Sequence, residues 1–401
     1  MSIWRYAKDF IELAFSIDKH FPGFVDGYFG PIEIKESVEH QEKTDLKVLS
    51  ATANKIIEST QHDNTLIKER KEYLIARLTG MQTILEILQG KQLDIIEEVQ
   101  QFFDIQITWI DEKRFETSRQ ILDEYLPGSG SLYDRWDTLR KVTIIPENKL
   151  EFLVKNISLR LQNLSKEFIP LPESENCEYF LVKDKDWVAY NWYLGNYRSR
   201  IEINTDLPNR ILSLPWFIAH EAYPGHHTEN SMKEYKLYQE KGYLENSILT
   251  YNTPDNVITE GVGENALDVV ANCNDIVDIY NYICHEIGFK DIDANSLFHI
   301  MKALRDFDLI NINLVLMVYG RGATDKEVID YQIKYRFNSL EGAKQNLRFL
   351  RNPLYRSYAC VYPMGRQLVH NYVSAGMNQK ERFLKLLQEQ LIPSQLKFEK
   401  T

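Results

Sequence analysis

Cysteine is scarce in this chain. The four present among 401 residues, Cys177, Cys273, Cys284 and Cys360, are scattered without CxxC spacing. A disulfide framework is therefore not expected, and reduced thiols in a cytoplasmic protein suit the pattern. Long apolar runs are missing as well. No window of about 18 uncharged apolar residues occurs, so no membrane-spanning helix is expected. The opening residues Met1-Ser2-Ile3-Trp4-Arg5 already carry charge where a signal peptide needs an apolar stretch. Positive charge is not in excess either. With 47 basic against 58 acidic residues and a formal net charge of -11, the chain offers no footprint for nucleic acid or an anionic membrane. A globular protein remains, long enough to bury a large core as one continuous domain or as two interleaved lobes.

Helical periodicity dominates what is present. Leu74, Leu78, Met81, Leu85 and Leu88 recur at alternating spacings of four and three, one apolar stripe, and Gly90 follows as a stop. Further helices are predicted over 4–19, 44–60, 92–104, 113–124, 131–142 and 147–168. Turn chemistry separates them at Phe21-Pro22-Gly23, Gly30-Pro31 and Pro127-Gly128-Ser129-Gly130. Residues 1–170 thus read as an N-terminal helical lobe, and 171–401 as a second lobe. Within 177–204 the texture turns aromatic and β-branched. Strands are predicted at 178–182, 187–193 and 198–204 in a small antiparallel sheet, with turns at Asp184-Lys185-Asp186 and Leu194-Gly195-Asn196. Ser213 and Pro215 then start a helix. A polar helix is predicted over 228–241, and Thr253-Pro254-Asp255 opens another. The remaining helices are expected over 293–318, 324–336, 339–350, 357–376 and 379–390. The fold class is mainly α with a small β-sheet.

The chemistry concentrates in Ala219-His220-Glu221-Ala222-Tyr223-Pro224-Gly225-His226-His227, which holds three of the nine histidines. A His-Glu pair within a helix is how zinc peptidases hold a metal by imidazole and keep a carboxylate beside the metal-bound water. The second histidine of that pattern falls four residues on, where this chain has Pro224. In an ideal helix His227 would lie on nearly the face of His220 but about 10 Å along the axis, too far to share an ion. The helix must therefore bend, and Pro224-Gly225 supplies the means. If the bend returns the chain toward His220, His226 is the second ligand. His227 is the substitute, whichever is left over orienting a ligand or bound substrate.

A carboxylate should complete the set. Glu260, Glu264 and Asp268 are four apart and share one helical face. Gly261 and Gly263 inside that helix cost about 1 kcal/mol each against Ala, which close approach of another backbone would justify. Glu260 is the expected third ligand, with Glu264 as substitute. Glu264 or Asp268 could instead accept the N–H of a ligating histidine. Glu221 is the expected general base. Tyr362 and Arg366, one helical turn apart, are candidates to stabilise an oxyanion, with Tyr358 as well placed by spacing. Each residue alone has an ordinary explanation: a hydrogen-bonded core histidine, a solvated acidic face, packing aromatics with a snorkelling arginine. Their conjunction points to a site.

The run from His220 to His227 resembles the HExxPGHH signature of the bacterial domain-of-unknown-function 885 family. Ile201-Glu202-Ile203-Asn204, Glu260-Gly261, Tyr362-Pro363-Met364-Gly365 and the stretch Gly23-Phe24-Val25-Asp26-Gly27-Tyr28-Phe29-Gly30-Pro31 also resemble its pattern, so the resemblance spans most of the chain. The chain departs at Gly261-Val262-Gly263, where the family usually has Gly-Trp-Ala, and at Thr228-Glu229, where it has Leu-Gln. Neither departure removes a proposed ligand. The family is similar to mainly helical zincins with a glutamate third ligand, such as carboxypeptidase Taq and dipeptidyl peptidase III. The resemblance implies a zincin-like metallopeptidase of two helical lobes around a central cleft. It would hold one Zn2+ ion and act on a peptide or small amide, activated water attacking the carbonyl with Glu221 as base. In a zincin the strand ending at Ile203-Asn204 would be the edge along which an extended peptide aligns, with Asn204 in contact. His227 and Tyr358 would also face the substrate. Two other readings remain. One is a non-catalytic zincin-like scaffold that binds peptide or metal, against which the intact Glu221 argues. The other is a non-haem Fe(II) enzyme with two histidines and a carboxylate, although such sites usually sit on a β-barrel.

Overall fold

The computed structural model describes residues 2–185, 187–337, 339–352 and 355–396, with side chains from residue 6 onward. Asp186 of the predicted turn and residues 397–401 of the second lobe lie outside the described residues. Helices over Ser2–Asp18, Leu46–His62, Lys68–Leu88, Ile95–Phe103, Glu112–Tyr125, Leu132–Val142 and Glu147–Lys166 occupy the predicted N-terminal runs. Asp45, Asp94, Asp111 and Ser131 cap four of them by accepting a hydrogen bond from a first-turn amide. The stripe of Leu74, Leu78, Met81 and Leu85 is buried, and its helix packs against Leu46–His62 and Ile95–Phe103. Gly90 ends that segment at φ +94°.

Beyond residue 170 the expected 293–318 helix is broken into Ala294–Asp306, a 3-10 turn at Phe307–Leu309, and Ile310–Tyr319. Two helices, Ile32–Glu39 and Cys273–Ile287, add to those read from the pattern. The described residues hold five strands: β1 (Val25–Tyr28), β2 (Asn176–Val182), β3 (Ala189–Gly195), β4 (Arg198–Asn204) and β5 (Ile248–Thr250). The first and last, too short to show an alternating pattern, pair antiparallel as a ribbon.

The small sheet has the order β2-β4-β3. The β3–β4 hairpin is antiparallel, as expected, whereas β2 joins parallel to β4. The reason lies in the connection from β2 to β3, which crosses the end of β4 instead of turning back beside β2. Asn204 pins that crossing: its Nδ2 donates to the carbonyls of Lys185 (2.8 Å) and Trp187 (3.0 Å). β4 is thereby the central strand, with Ile201 and Ile203 fully buried.

A contiguous buried cluster runs from Ala7 to Val361 and takes side chains from both predicted lobes. Pro254–Val270 and Val361–Ser374 cross at close backbone approach. A Cβ on Gly365 would lie 2.3 Å from the Val257 carbonyl oxygen, and one on Gly261 2.5 Å from that of Gly365. Gly261 therefore serves the close backbone approach inferred from its cost. None of the described helices is long and apolar enough to cross a membrane.

Candidate metal centre and its cleft

The helix Leu214–Glu221 ends one residue past His220. Ala222 leaves the helical region (φ −114°, ψ −92°), the Tyr223–Pro224 bond is cis, and the Gly225 amide donates back to the Ala219 carbonyl at 2.9 Å. A Cβ at position 225 would sit 1.9 Å from the His220 carbonyl oxygen, so only glycine fits this turn. A new helix, His226–Lys233, starts at once. The bend thus brings His226 back to His220, their rings 4.5 Å apart and nearly perpendicular.

The crossing helix Pro254–Val270 delivers the carboxylate. Glu260 Oε2 lies 3.2 Å from His220 Nε2 and 3.7 Å from His226 Nε2. One ligand atom from each of His220, His226 and Glu260 falls within 4.8 Å of the others. Gly263 has a different task from Gly261: a Cβ there would lie 2.7 Å from His220 Nδ1, so its absence makes room for the imidazole.

Further side chains hold this cluster. Glu264 Oε1 stands 3.5 Å from His220 Nδ1, and the Tyr358 hydroxyl donates to Glu260 Oε1 at 3.1 Å. Tyr362 lies with its ring roughly parallel to that of His220, 6.3 Å away. Glu221 opens onto the same cleft as His226, Glu260, Tyr358 and Tyr362. Its carbonyl accepts from Asn191 Nδ2 at 2.6 Å, which ties the helix end to β3.

Carboxylates dominate the electrostatics around His220. Burial works against a charge on His220, yet Glu260 and Glu264 beside it outweigh burial and hold its pKa well above the ordinary imidazole value. Burial likewise pushes Glu264 up, but His220 and Arg305 pull it down to about 2. His226 Nδ1 is buried with no hydrogen-bond partner among the described residues, and Glu260 Oε2 has only its contacts with the two imidazoles.

Four predicted residues are elsewhere. His227 is fully buried behind the bend, with Nδ1 2.8 Å from Ser199 Oγ and Nε2 3.0 Å from Glu175 Oε2. It faces neither His220 nor the cleft, because consecutive residues at a helix start point about 100° apart. Arg366 lines a separate cavity, where it meets Asp306 at 3.6 Å and donates to the Arg305 carbonyl. Asp268 is engaged by Arg305 at 3.0 Å instead of a histidine. Asn204 is buried in the strand crossing, and the strand it ends is interior, so it offers no edge to a peptide. The edge beside the cleft belongs to β3, through Ala189, Tyr190 and Asn191.

Asp26, Tyr190 and Tyr251 also line the cleft, and the sequence reading did not single them out. The signal available for Asp26 was its place in the glycine-rich stretch 23–31. The two tyrosines carry no local signal.

No protein-family model and no curated protein matches the chain. Solved structures share its fold, two of them as follows. A "putative lipoprotein from Colwellia psychrerythraea" is 13% identical with a TM-score of 0.53, over 87% of this chain and 65% of that one. A "putative lipoprotein of unknown function from Shewanella oneidensis" is 11% identical with a TM-score of 0.50, over 88% of this chain and 71% of that one. The chain thus spans 65% of the length of the first. At these identities the likeness is one of fold.

Proposed function

We propose that the chain is a zinc-dependent hydrolase of peptide or related amide bonds, belonging with the domain-of-unknown-function 885 family that it resembles. The observation carrying this reading is the convergence of His220, His226 and Glu260, whose ligand atoms lie within 4.8 Å. Glu260 Oε2 is buried between the two imidazoles, 3.2 Å from His220 Nε2 and 3.7 Å from His226 Nε2, and a cation shared by the three would balance its charge. Two imidazoles and one carboxylate suit a single zinc ion with a coordination position left open. Zinc held there supplies Lewis acidity toward water and the substrate carbonyl.

The chain's own residues supply the rest. Glu221 takes a proton from the attacking water and passes it to the leaving amine. The Tyr362 phenol donates a hydrogen bond to the developing oxyanion. Glu264 and Tyr358 hold His220 and Glu260 in orientation. The free edge of β3 aligns an extended substrate through main-chain hydrogen bonds.

Elemental analysis of the purified protein, with digestion of a peptide library with and without chelator, tests the proposal. One equivalent of zinc and chelator-sensitive cleavage are expected; iron in its place, or cleavage indifferent to chelator, would overturn it. Glu221→Gln is expected to keep the zinc while kcat falls by about 10²–10⁴-fold. If the wild type holds zinc, binds peptide and cleaves nothing, the non-catalytic scaffold replaces the hydrolase.

A further inference from the structure

One carboxylate in the cleft has no part in the chemistry above. Asp26 sits on β1, where that strand pairs with β5, and lines the same cleft as Glu221, His226 and Glu260. Its Oδ1 accepts from the Tyr190 hydroxyl, which in turn lies 3.1 Å from the hydroxyl of Tyr251. Glu221 aside, the other charged groups on the cleft wall meet partners of opposite sign. Arg77 meets Asp255 at 3.4 Å and donates to the Glu245 and Ile248 carbonyls, and Lys233 pairs with Glu229. Among the described residues no lysine or arginine pairs with Asp26. Burial raises its pKa by more than the Tyr190 and Tyr251 hydroxyls and the nearby His226 lower it.

The surroundings suit one kind of group. An ammonium has three N–H donors, and Asp26 Oδ2 with the two tyrosine hydroxyl oxygens can accept them. The aromatic walls of Tyr190 and Tyr251 favour a cation further. The rings of Tyr251 and Tyr358 stand edge to face at 5.7 Å, and the Tyr358 hydroxyl reaches Glu260 at 3.1 Å. Two adjacent rings therefore separate Asp26 from the His-Glu cluster, a gap that about one or two extended residues would bridge at roughly 3.4 Å each.

We infer that Asp26, with the hydroxyls of Tyr190 and Tyr251, binds the free α-ammonium of a peptide, so that the substrate is engaged from its amino end. The inference rests on the hydrolytic reading for its consequence, release of about one or two N-terminal residues, but the ammonium site is measurable without cleavage. Calorimetric titration of the zinc-loaded Glu221→Gln variant with trialanine and with N-acetyl-trialanine reads it directly. Trialanine is expected to bind at least about tenfold more tightly, the worth of a charge-assisted hydrogen bond. Adding Asp26→Asn should erase the difference, and Tyr251→Phe should reduce it.

Wild-type cleavage of the same two peptides separates the two claims. A preference for trialanine that depends on Asp26, with neither peptide cut, would sink the hydrolase and keep the ammonium site. Equal binding of the two peptides, a preference that survives Asp26→Asn, or no binding of either would overturn the ammonium site. The comparison of peptides on an unaltered Asp26 needs no further variant, so misfolding of Asp26→Asn leaves the inference decidable.

Discussion

His226 and His227 are neighbours in the chain with opposite surroundings. His226 looks across the cleft at His220 and Glu260, whereas His227 is sealed against Ser199 and Glu175. Replacing each by glutamine is therefore expected to separate two phenotypes. His226→Gln should lose zinc affinity by at least about a hundredfold with little change in unfolding free energy. His227→Gln should keep zinc stoichiometry and lose about 2 kcal/mol of stability, through a poorer partner for the buried Glu175. Metal titration and urea unfolding of the two variants check this. Glu175 itself carries a pH signature. Burial opposes its charge, but His227, Tyr223 and Lys166 hold its pKa from 4.5 down to about 2. A carboxylate depressed in the folded state contributes stability above its unfolded value and loses it as pH falls through the folded one. The stability gap between wild type and Glu175→Gln should be full at pH 7 and close between pH 4.5 and about 2, read by urea unfolding across that range. None of this partition was legible from composition, since two adjacent histidines look alike until a bend assigns their directions.

At the scale of elements, the site is a crossing of two short helices, Leu214–Glu221 and His226–Lys233, with the longer Pro254–Val270. The Pro254–Val270 helix carries its two interior glycines on different errands, which makes them separable. Gly263→Ala places a methyl 2.7 Å from the His220 ring, so zinc affinity should fall by about tenfold or more with a smaller effect on folding. Gly365→Ala on the facing helix drives a methyl to 2.3 Å from the Val257 carbonyl and should cost about 1–3 kcal/mol of stability. Zinc competition with a chromophoric chelator and urea unfolding distinguish the two. The need for a bend between His220 and the later histidines was legible, because Pro224-Gly225 is local chemistry. The parallel entry of β2 was not. It depends on which end of β4 the connection crosses, and the Asn204 side chain that pins it bonds to backbone atoms up to 19 residues away.

For the molecule as a whole, the cleft draws on β1 near one end of the chain and on the Val361–Ser374 helix near the other. A ligand that binds only this assembled form stabilises it by mass action, about 2.7 kcal/mol at a hundred times its Kd. Scanning calorimetry of chelator-treated protein should show Tm rising by several degrees on adding zinc and hardly at all on adding magnesium, which prefers an all-oxygen shell. An unchanged Tm with saturating zinc would remove the metal centre from the account. By itself the sequence determined the helical class, the place of His220 and Glu221, and the requirement that the helix break between the histidines. Periodicity, capping and turn residues act within a few positions and can be read there. Only the tertiary structure decided that His226 and not His227 faces His220, that Glu260 stands nearest both, that Arg366 and Asn204 lie elsewhere, and that Asp26 joins the cleft. Asp26 and Tyr190 are 164 residues apart in the chain, and such meetings are set by how helices and strands pack, not by any neighbour in sequence.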